Sequence, residues 1–530
     1  MRDFHQPGRS PTYSRHGMAA TSQPLATQTA LEMLRRGGNA MDAALAAVAV
    51  QCVVEPGSTG IGGDCFCLYA PEGSSDLTAF NGSGTSPAGA SVAALAERGI
   101  TEMDKNSAHA VTVPGAVDAW HQLHAAHGSR PMAEILAPAI DCARNGFALG
   151  ARTAFDFAGC ADLLAAEPST ASIFLKGGRT PVAGEVLRQP QLAETLERIA
   201  TGGRDAFYSG PVAEDIVSYL QDKGGLHTLD DFARYQGQFV TPISAEFRGR
   251  RVHQCPPNGQ GLIALLLLNI MSEVDTFDGP LSVERMHREI EACRLAYTAR
   301  NTFLADPDHG DIPVDEILSA EYARKLRDQI DAARAQESNR DVGIGSHPNT
   351  VYLTVVDKDR NVCSLINTLF YGFGSGLTAP GTGVVLQNRG FGFSLDPDHP
   401  NALEPNKRPM HTIIPGMVTE GDRVTMSYGV MGGHYQAFGH MQFLTRMFDY
   451  GCDPQAAMDL PRFMVDPDTG KVEMESTVDR GTCDALTARG HRLITPAVPV
   501  GGSQAIAIDW DEGVLCGGSD PRKDGCAAGY

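Results

Sequence analysis

A threonine that opens a β-strand directly after a polar segment can carry two catalytic groups if the backbone is cut in front of it. Thr350 stands in that position. Arg334 to Asn349 is polar and Gly/Ser/Asn-rich with no apolar period, which reads as an exposed linker or mobile loop. Val351-Tyr352-Leu353-Thr354-Val355-Val356 follows as a strand. Scission between Asn349 and Thr350 would leave a hydroxyl and a free α-amine on one residue. The amine's reference pKa of about 7.7–8.0 suits a general base near neutral pH, and both groups would share one rigid strand end. Taken alone, the residue type does not decide the matter, because an isolated threonine in a strand is usually an ordinary β-branched strand former.

Other side chains with chemical potential read more plainly. His121, His124 and His127 recur every three residues beside Trp120, so they share a helix face and a zinc site is conceivable. No Glu accompanies them in a His-Glu-x-x-His pattern, and they read as a solvated or partly buried face. His347 either bears on processing at Thr350 or is an inert loop histidine. The turn Gly57-Ser58-Thr59-Gly60-Ile61-Gly62-Gly63-Asp64 lacks the Lys-Ser/Thr ending of a phosphate-binding loop and the full dinucleotide spacing. The proposed chemistry calls for no cofactor and no metal.

The elements that must position Thr350 are legible from period and turn signals. Ala26 to Cys52 reads as two helices interrupted at Gly37-Gly38, with Asn39 capping the Ala-rich second one. Cys65 to Tyr69 reads as a strand. From about Met132 to Ala333 the signals are mostly helical: Leu192 to Ile199, Val212 to Leu220, Gly261 to Ser272 and Val283 to Tyr297. After Asn349 the chain turns strand-rich, with Val362 to Leu369 as the hairpin partner of Val351 to Val356. Val384-Val385-Leu386 and Val424 to Tyr428 read as further strands. A helical middle between sheet-forming ends implies helices layered on sheets.

Composition narrows the function classes. The chain has 530 residues, 43 Lys+Arg against 63 Asp+Glu, and a formal net charge of −20, which disfavours nucleic acid and anionic lipid as partners. The opening residues carry no secretory or transit pattern, and the longest apolar stretch, Leu262 to Ile270, is far shorter than a ~20-residue membrane span. A cytoplasmic protein is the expectation. The 12 cysteines are scattered without a metal-knuckle spacing and read as buried reduced thiols.

Several motifs, in order along nearly the whole chain, resemble the γ-glutamyltransferase family of N-terminal-nucleophile hydrolases. They are Met18 to Ala26, Gly37-Gly38-Asn39-Ala40-Met41-Asp42-Ala43-Ala44, Val113-Pro114-Gly115-Ala116-Val117, Ala206-Phe207-Tyr208-Ser209-Gly210, Asp230 to Tyr235, Pro405-Asn406-Lys407-Arg408-Pro409 and Gly518-Ser519-Asp520-Pro521-Arg522. The resemblance implies an α/β fold, a four-layer αββα sandwich made by two subunits from one precursor. Residues 1–349 would form the large subunit and 350–530 the small one, paired as a heterodimer or a dimer of heterodimers. It further implies self-cleavage between Asn349 and Thr350, Thr350 as nucleophile, Thr368 as its hydrogen-bonding partner, and Gly432 and Gly433 as the oxyanion-stabilising pair. Glycine suits the last role because two N–H groups must converge without a side chain in the way.

The family's substrate-reading residues carry over less well. The arginine that grips the glutamyl α-carboxylate falls near Val92, the Asn beyond the helper threonine is Phe370, and the Gln and Asp that hold the glutamyl head group fall at Arg389 and Gly392. The paired serines after Lys407-Arg408-Pro409 are His411 and Thr412, and the loop from Ser394 to Pro405 is short, which implies that the pocket lid of some members is absent. A zwitterion without charged partners binds poorly once desolvated, whereas one arginine suits a carboxylate. Arg389, His411 and Thr412 are therefore the candidate substrate-binding residues; for Arg389 the plain alternative is a structural ion pair, and for His411 and His434 an inert buried position. The pattern resembles a cytoplasmic branch of the family that includes oxamate amidohydrolase and glutathione-hydrolase-like proteins. It points to an amidohydrolase acting on a small carboxylate-bearing amide such as oxamate. Alternatives are a γ-glutamyltransferase or glutathione hydrolase and, from a different class, an unprocessed binding protein.

Overall fold

The computed structural model describes residues 5, 8–336, 349–466 and 469–530. His347 and most of the polar segment before Thr350 lie outside the described residues.

Two seven-stranded sheets face each other. The first runs in the order Cys526–Gly529, Met18–Thr21, Asn349–Val356, Val362–Phe370, Asp64–Ala70, Thr78–Gly82, Gln238–Val240. The second runs Thr12–Ser14, Val514–Ser519, Gly502–Asp509, Arg423–Met431, Gly416–Glu420, Arg250–Gln254, Ile243–Phe247. Neighbouring strands in both are antiparallel. Side chains such as Phe66, Tyr352, Ile366, Met417 and Ile506 fill the space between the sheets. Helices including Ala40–Val54 cover the outer face of the first sheet, and helices including Gly261–Ser272 and Tyr435–Phe448 cover the second. This is the four-layer αββα sandwich.

Local sequence explains the pieces that matter for the site. Asn39 caps Ala40–Val54 through a capping box with Asp42, and all fifteen residues of that helix are buried. Small side chains let it lie close against the sheet that carries Thr350. The anticipated hairpin forms as Asn349–Val356 with Val362–Phe370, and its register has one irregularity: between the pairs Asn349↔Phe370 and Val351↔Asn367, Thr350 faces both Thr368 and Leu369. Such a bulge re-aims side chains and is common beside active sites. Tyr352 and Val356 point into the inter-sheet core, as do Val362 and Ile366, so Thr350 and Thr368 share that inner face.

Two expectations need correction. Val384-Val385-Leu386 is not a strand; it makes only the isolated bridges Thr378↔Val385 and Gly62↔Leu386. The mostly helical middle also contains Ile243–Phe247 and Arg250–Gln254, which extend the second sheet to its edge. Arg250-Arg251-Val252-His253-Gln254 has a single aliphatic residue, so it gives no apolar alternation to read. No helix among the described residues is long and apolar enough to cross a membrane, and all twelve cysteines are free thiols.

Candidate active site

The hairpin brings Thr350 Oγ1 to 3.1 Å from Thr368 Oγ1, with Thr350 only 1% exposed. The Phe370 N–H donates to Thr368 Oγ1 at 2.9 Å. Either hydroxyl can be the donor in the contact between the two threonines. Thr368→Val keeps the shape and removes the hydroxyl, so self-cleavage should slow by about ten- to a hundredfold. A time course of the two fragments on a denaturing gel checks this, and processing at the wild-type rate would remove Thr368 from the site.

Thr368 is register-paired with Asp64, the last residue of the glycine-rich turn. A Cβ on Gly63 would lie 2.0 Å from the Thr368 carbonyl oxygen, so this close approach requires glycine. Asp64 is fully buried and its oxygens are taken: Oδ1 accepts from Gly84 N–H at 2.9 Å, Gly115 N–H at 3.2 Å and the Gln387 amide at 2.8 Å, and Oδ2 from His411 Nε2 at 3.0 Å. His411 Nδ1 accepts from Ile413 N–H at 3.3 Å, so both ring nitrogens are used within the protein. Burial, and the nearby Arg389 charge, push His411 down to about 4 against the opposing pull of Asp64, which keeps the ring neutral at pH 7.

Arg389 is fully buried next to this cluster. Its guanidinium lies 3.7 Å from the Phe370 ring centroid and donates to Thr412 Oγ1 at 3.1 Å. Nε and Nη2 have no hydrogen-bond partner among the described residues. Burial pushes its pKa down to about 9, with Asp64 pulling the other way, so it remains charged at neutral pH. The family-matched position at Val92 packs instead in an apolar cluster with Leu95 and Phe393. Phe370 itself sits at φ +80°, a left-handed conformation that is strained for a bulky residue and is found mostly where surroundings enforce it.

Gly432 (φ +114°) and Gly433 (φ +55°) connect the strand Arg423–Met431 to the helix Tyr435–Phe448. A Cβ on Gly432 would stand 2.9 Å from Gly501 Cα. Among the described residues, no backbone bond outside the helices and strands uses either N–H, and the positive end of the following helix faces this turn. His434 follows. Its Nδ1 accepts from Arg300 Nη1 at 2.9 Å, which puts the ring proton on Nε2, an atom without a partner among the described residues. The His434 ring lies edge-on to Phe370, 6.4 Å between centroids. Gln260 ties the two halves together by donating to the Thr412 carbonyl at 2.8 Å and the Gly433 carbonyl at 2.9 Å.

The fold thus gathers Thr350, Thr368, Arg389, Thr412, His434 and the glycine pair around the end of one hairpin. Of Asn349 only the backbone pairing with Phe370 is described. Sequence reasoning missed Asp64, Gln260 and Arg300; a carboxylate closing a glycine-rich turn was the only available signal for the first. His121 and His124 are held by the Val117 carbonyl at 2.9 Å and the Arg130 carbonyl at 2.7 Å, and His127 stacks on Tyr69, so the three do not converge.

The neutral histidines carry a pH consequence. Burial holds His440 down to about 3 and His411 to about 4, below the ~6.5 of an unfolded chain. The unfolded state therefore binds more protons, and their contribution is full above pH ~6.5 and lost as pH falls toward the folded values, a few kcal/mol each at roughly 1.4 kcal/mol per unit. The drop in thermal midpoint between pH 6.5 and 4 should be shallower in His440→Gln than in wild type; equal slopes would contradict it.

Comparison with known proteins follows the same outline. The gamma-glutamyltranspeptidase family matches residues 26–530. The chain is 39% identical to a glutathione hydrolase-like YwrD proenzyme of Bacillus subtilis, covering 97% of this chain and 98% of the relative. It is 34% identical to an oxamate amidohydrolase proenzyme of Klebsiella pneumoniae, covering 98% and 100%. The crystal structure of cephalosporin acylase from Bacillus halodurans superimposes with a TM-score of 0.92 at 39% identity, over 100% of this chain and 99% of that one. The sandwich, the hairpin-borne threonine and these matches over essentially the full length agree, and the chain is an enzyme of the gamma-glutamyltranspeptidase family.

Proposed function

We propose that the chain is a proenzyme that cuts itself between Asn349 and Thr350 and then hydrolyses a small carboxylate-bearing amide of the oxamate type. In the precursor, Thr350 Oγ attacks the carbonyl carbon of residue 349. The peptide C–N bond breaks as the ester C–O bond forms, and the nitrogen leaves as the α-amine of Thr350. Water then hydrolyses the ester, giving a carboxylate at 349 and a free hydroxyl at 350. Residues 1–349 and 350–530 remain together because strands of both parts are hydrogen-bonded side by side in each of the two sheets.

In the mature enzyme the α-amine takes the Thr350 hydroxyl proton as Oγ attacks the substrate amide carbon. Gly432 and Gly433 N–H groups hold the oxyanion, and the proton passes to the leaving ammonia. Water, activated by the same amine, releases the acid and regenerates Thr350. Arg389 Nε and Nη2 grip the substrate carboxylate as a fork, with the His434 Nε2–H as a further donor. His411 acts as a positioning residue on Asp64, and Thr412 orients Arg389.

The observation that carries the substrate reading is the fully buried Arg389, stacked on Phe370 at the end of the hairpin that bears Thr350 and Thr368, with two nitrogens that have no partner among the described residues. A buried guanidinium with two open N–H groups is unfavourable even with Asp64 nearby, and a bound carboxylate relieves it. Ammonia release from oxamate, set against turnover of a γ-glutamyl anilide, tests this; activity on the anilide alone would overturn it. The glutathione-type reading rests on the 39% identical relative. It needs an anion for the substrate's ammonium, and the Asp64 oxygens are already committed to protein donors. A single full-length band after long incubation would favour the unprocessed binding protein.

A further inference from the structure

Remote from the catalytic hairpin, a buried trio joins the long helix Val283–Phe303 to the C-terminal part of the chain. His287 and Glu291 stand four residues apart on that helix and share a face. His491 comes from the turn after the helix Arg480–Ala488. All three are buried, and one ligand atom from each lies within 4.8 Å of the others.

The outer atoms of His287 and Glu291 are anchored in the protein, and the inner nitrogens of the two histidines meet each other. His287 Nε2 donates to the Asp331 carbonyl at 2.7 Å, leaving the Nδ1 lone pair facing inward, 2.8 Å from His491 Nε2. Glu291 Oε2 accepts from Gln336 N–H at 3.0 Å. His491 Nδ1 and Glu291 Oε1 face each other at 3.9 Å; His491 Nδ1 has no hydrogen-bond partner among the described residues, and Glu291 Oε1 stands 3.2 Å from Arg294 Nε as an ion pair. The two imidazole nitrogens 2.8 Å apart share one proton, which a metal ion can replace. An imidazole whose other nitrogen is pinned by a backbone carbonyl is the arrangement that supports a metal-bound histidine.

The surrounding charges choose among cations. Arg294 sits 3.2 Å from Glu291, Arg489 pairs with Glu284 at 2.8 Å, and Arg288 donates to the Ile330 carbonyl. With Glu284, Glu291 and Asp331 opposing these three arginines, there is no excess negative field to hold a hard ion. Binding must come from coordination by neutral imidazole, which favours zinc over calcium or magnesium. We propose that His287, Glu291 and His491 form a zinc site, with water as fourth ligand, stapling the helix and the Asp331–Gln336 turn to the region around His491. Tetrahedral ligation at about 2.0–2.1 Å separates ligand atoms by roughly 3.4 Å, so the histidine pair opens slightly and Glu291 closes in.

The test uses metal-free full-length protein, both wild type and uncleaved Thr350→Ala, so that its outcome is independent of the processing reading. Each is incubated with Zn2+ alone, desalted and assayed for bound metal, and titrated separately with Co2+. The expected result is one ion per chain in both, visible ligand-field bands of a tetrahedral cobalt site, and at least a tenfold weaker affinity in His491→Gln and His287→Gln. No retained ion, or equal retention in wild type and His491→Gln, would overturn the site and leave a shared proton as the occupant. Should the variants fail to fold, absence of the tetrahedral cobalt spectrum in wild type overturns it equally.

Discussion

Arg389→Met should lower kcat/KM for oxamate by about a hundred- to a thousandfold while sparing a neutral amide of the same size. The wild-type guanidinium is enclosed, stacked on Phe370 and bonded to Thr412, with Nε and Nη2 unpartnered among the described residues. A carboxylate that accepts from both gains a charge-assisted pair in a site without competing water. Deleting one partner of such a pair typically costs about 2–5 kcal/mol, and each 1.4 kcal/mol is tenfold. A neutral amide loses nothing when the cation goes. Arg389→Lys should recover only part of the activity, because an ammonium lacks the planar fork. Stability supplies an independent reading: removing a buried cation whose hydrogen bond goes to the neutral Thr412 hydroxyl should leave the thermal midpoint unchanged or raise it, whereas breaking a structural ion pair would lower it. Loss of activity on both substrates together with a lowered midpoint would make Arg389 a structural residue.

The sequence made the hairpin of the candidate nucleophile legible and left its pocket obscure, for a physical reason. Hairpin period and turn chemistry are local, so Asn349–Val356 with Val362–Phe370 could be read directly, as could Gly261–Ser272 and the Asn39 cap. The family motifs then supplied Thr368 and the glycine pair. By contrast, the environment of Arg389 is assembled from segments hundreds of residues apart: Asp64 at the end of a glycine-rich turn, Thr412, and a His434 whose proton is placed by Arg300. No short-range pattern encodes that a guanidinium will be enclosed with two nitrogens to spare. The strand Arg250–Gln254 was missed for a related reason, since its neighbours on both sides, not its own apolar content, make it a strand. Val384-Val385-Leu386 misled in the opposite sense. Its apolar residues are buried, but Gly383 at φ +68° turns the chain before a ladder can form.

Thr350→Ala should yield a single uncut chain and reduce amide turnover by at least about 10^4-fold, the largest effect of any substitution here. The substitution removes one hydroxyl and one methyl from a residue that is 1% exposed, on a strand paired on both sides by Met18–Thr21 and Val362–Phe370, so the sandwich should persist. What disappears is the hydroxyl that stands 3.1 Å from Thr368 Oγ1 and that, in the proposed reaction, attacks the carbonyl before it. Thr350→Ser separates chemistry from fold: with the hydroxyl retained it should still cut, more slowly, because serine lacks the β-branch that restricts the Oγ rotamer. Terminal sequencing of the mature wild type should find a second chain beginning Thr-Val-Tyr-Leu. Its kcat/KM should fall on the acid side as the new α-amine gains a proton, near its reference value of about 7.7–8.0. Cleavage persisting in Thr350→Ala would move the nucleophile elsewhere. A pH profile with no such limb would leave Thr350 as nucleophile but take the role of base away from its own amine.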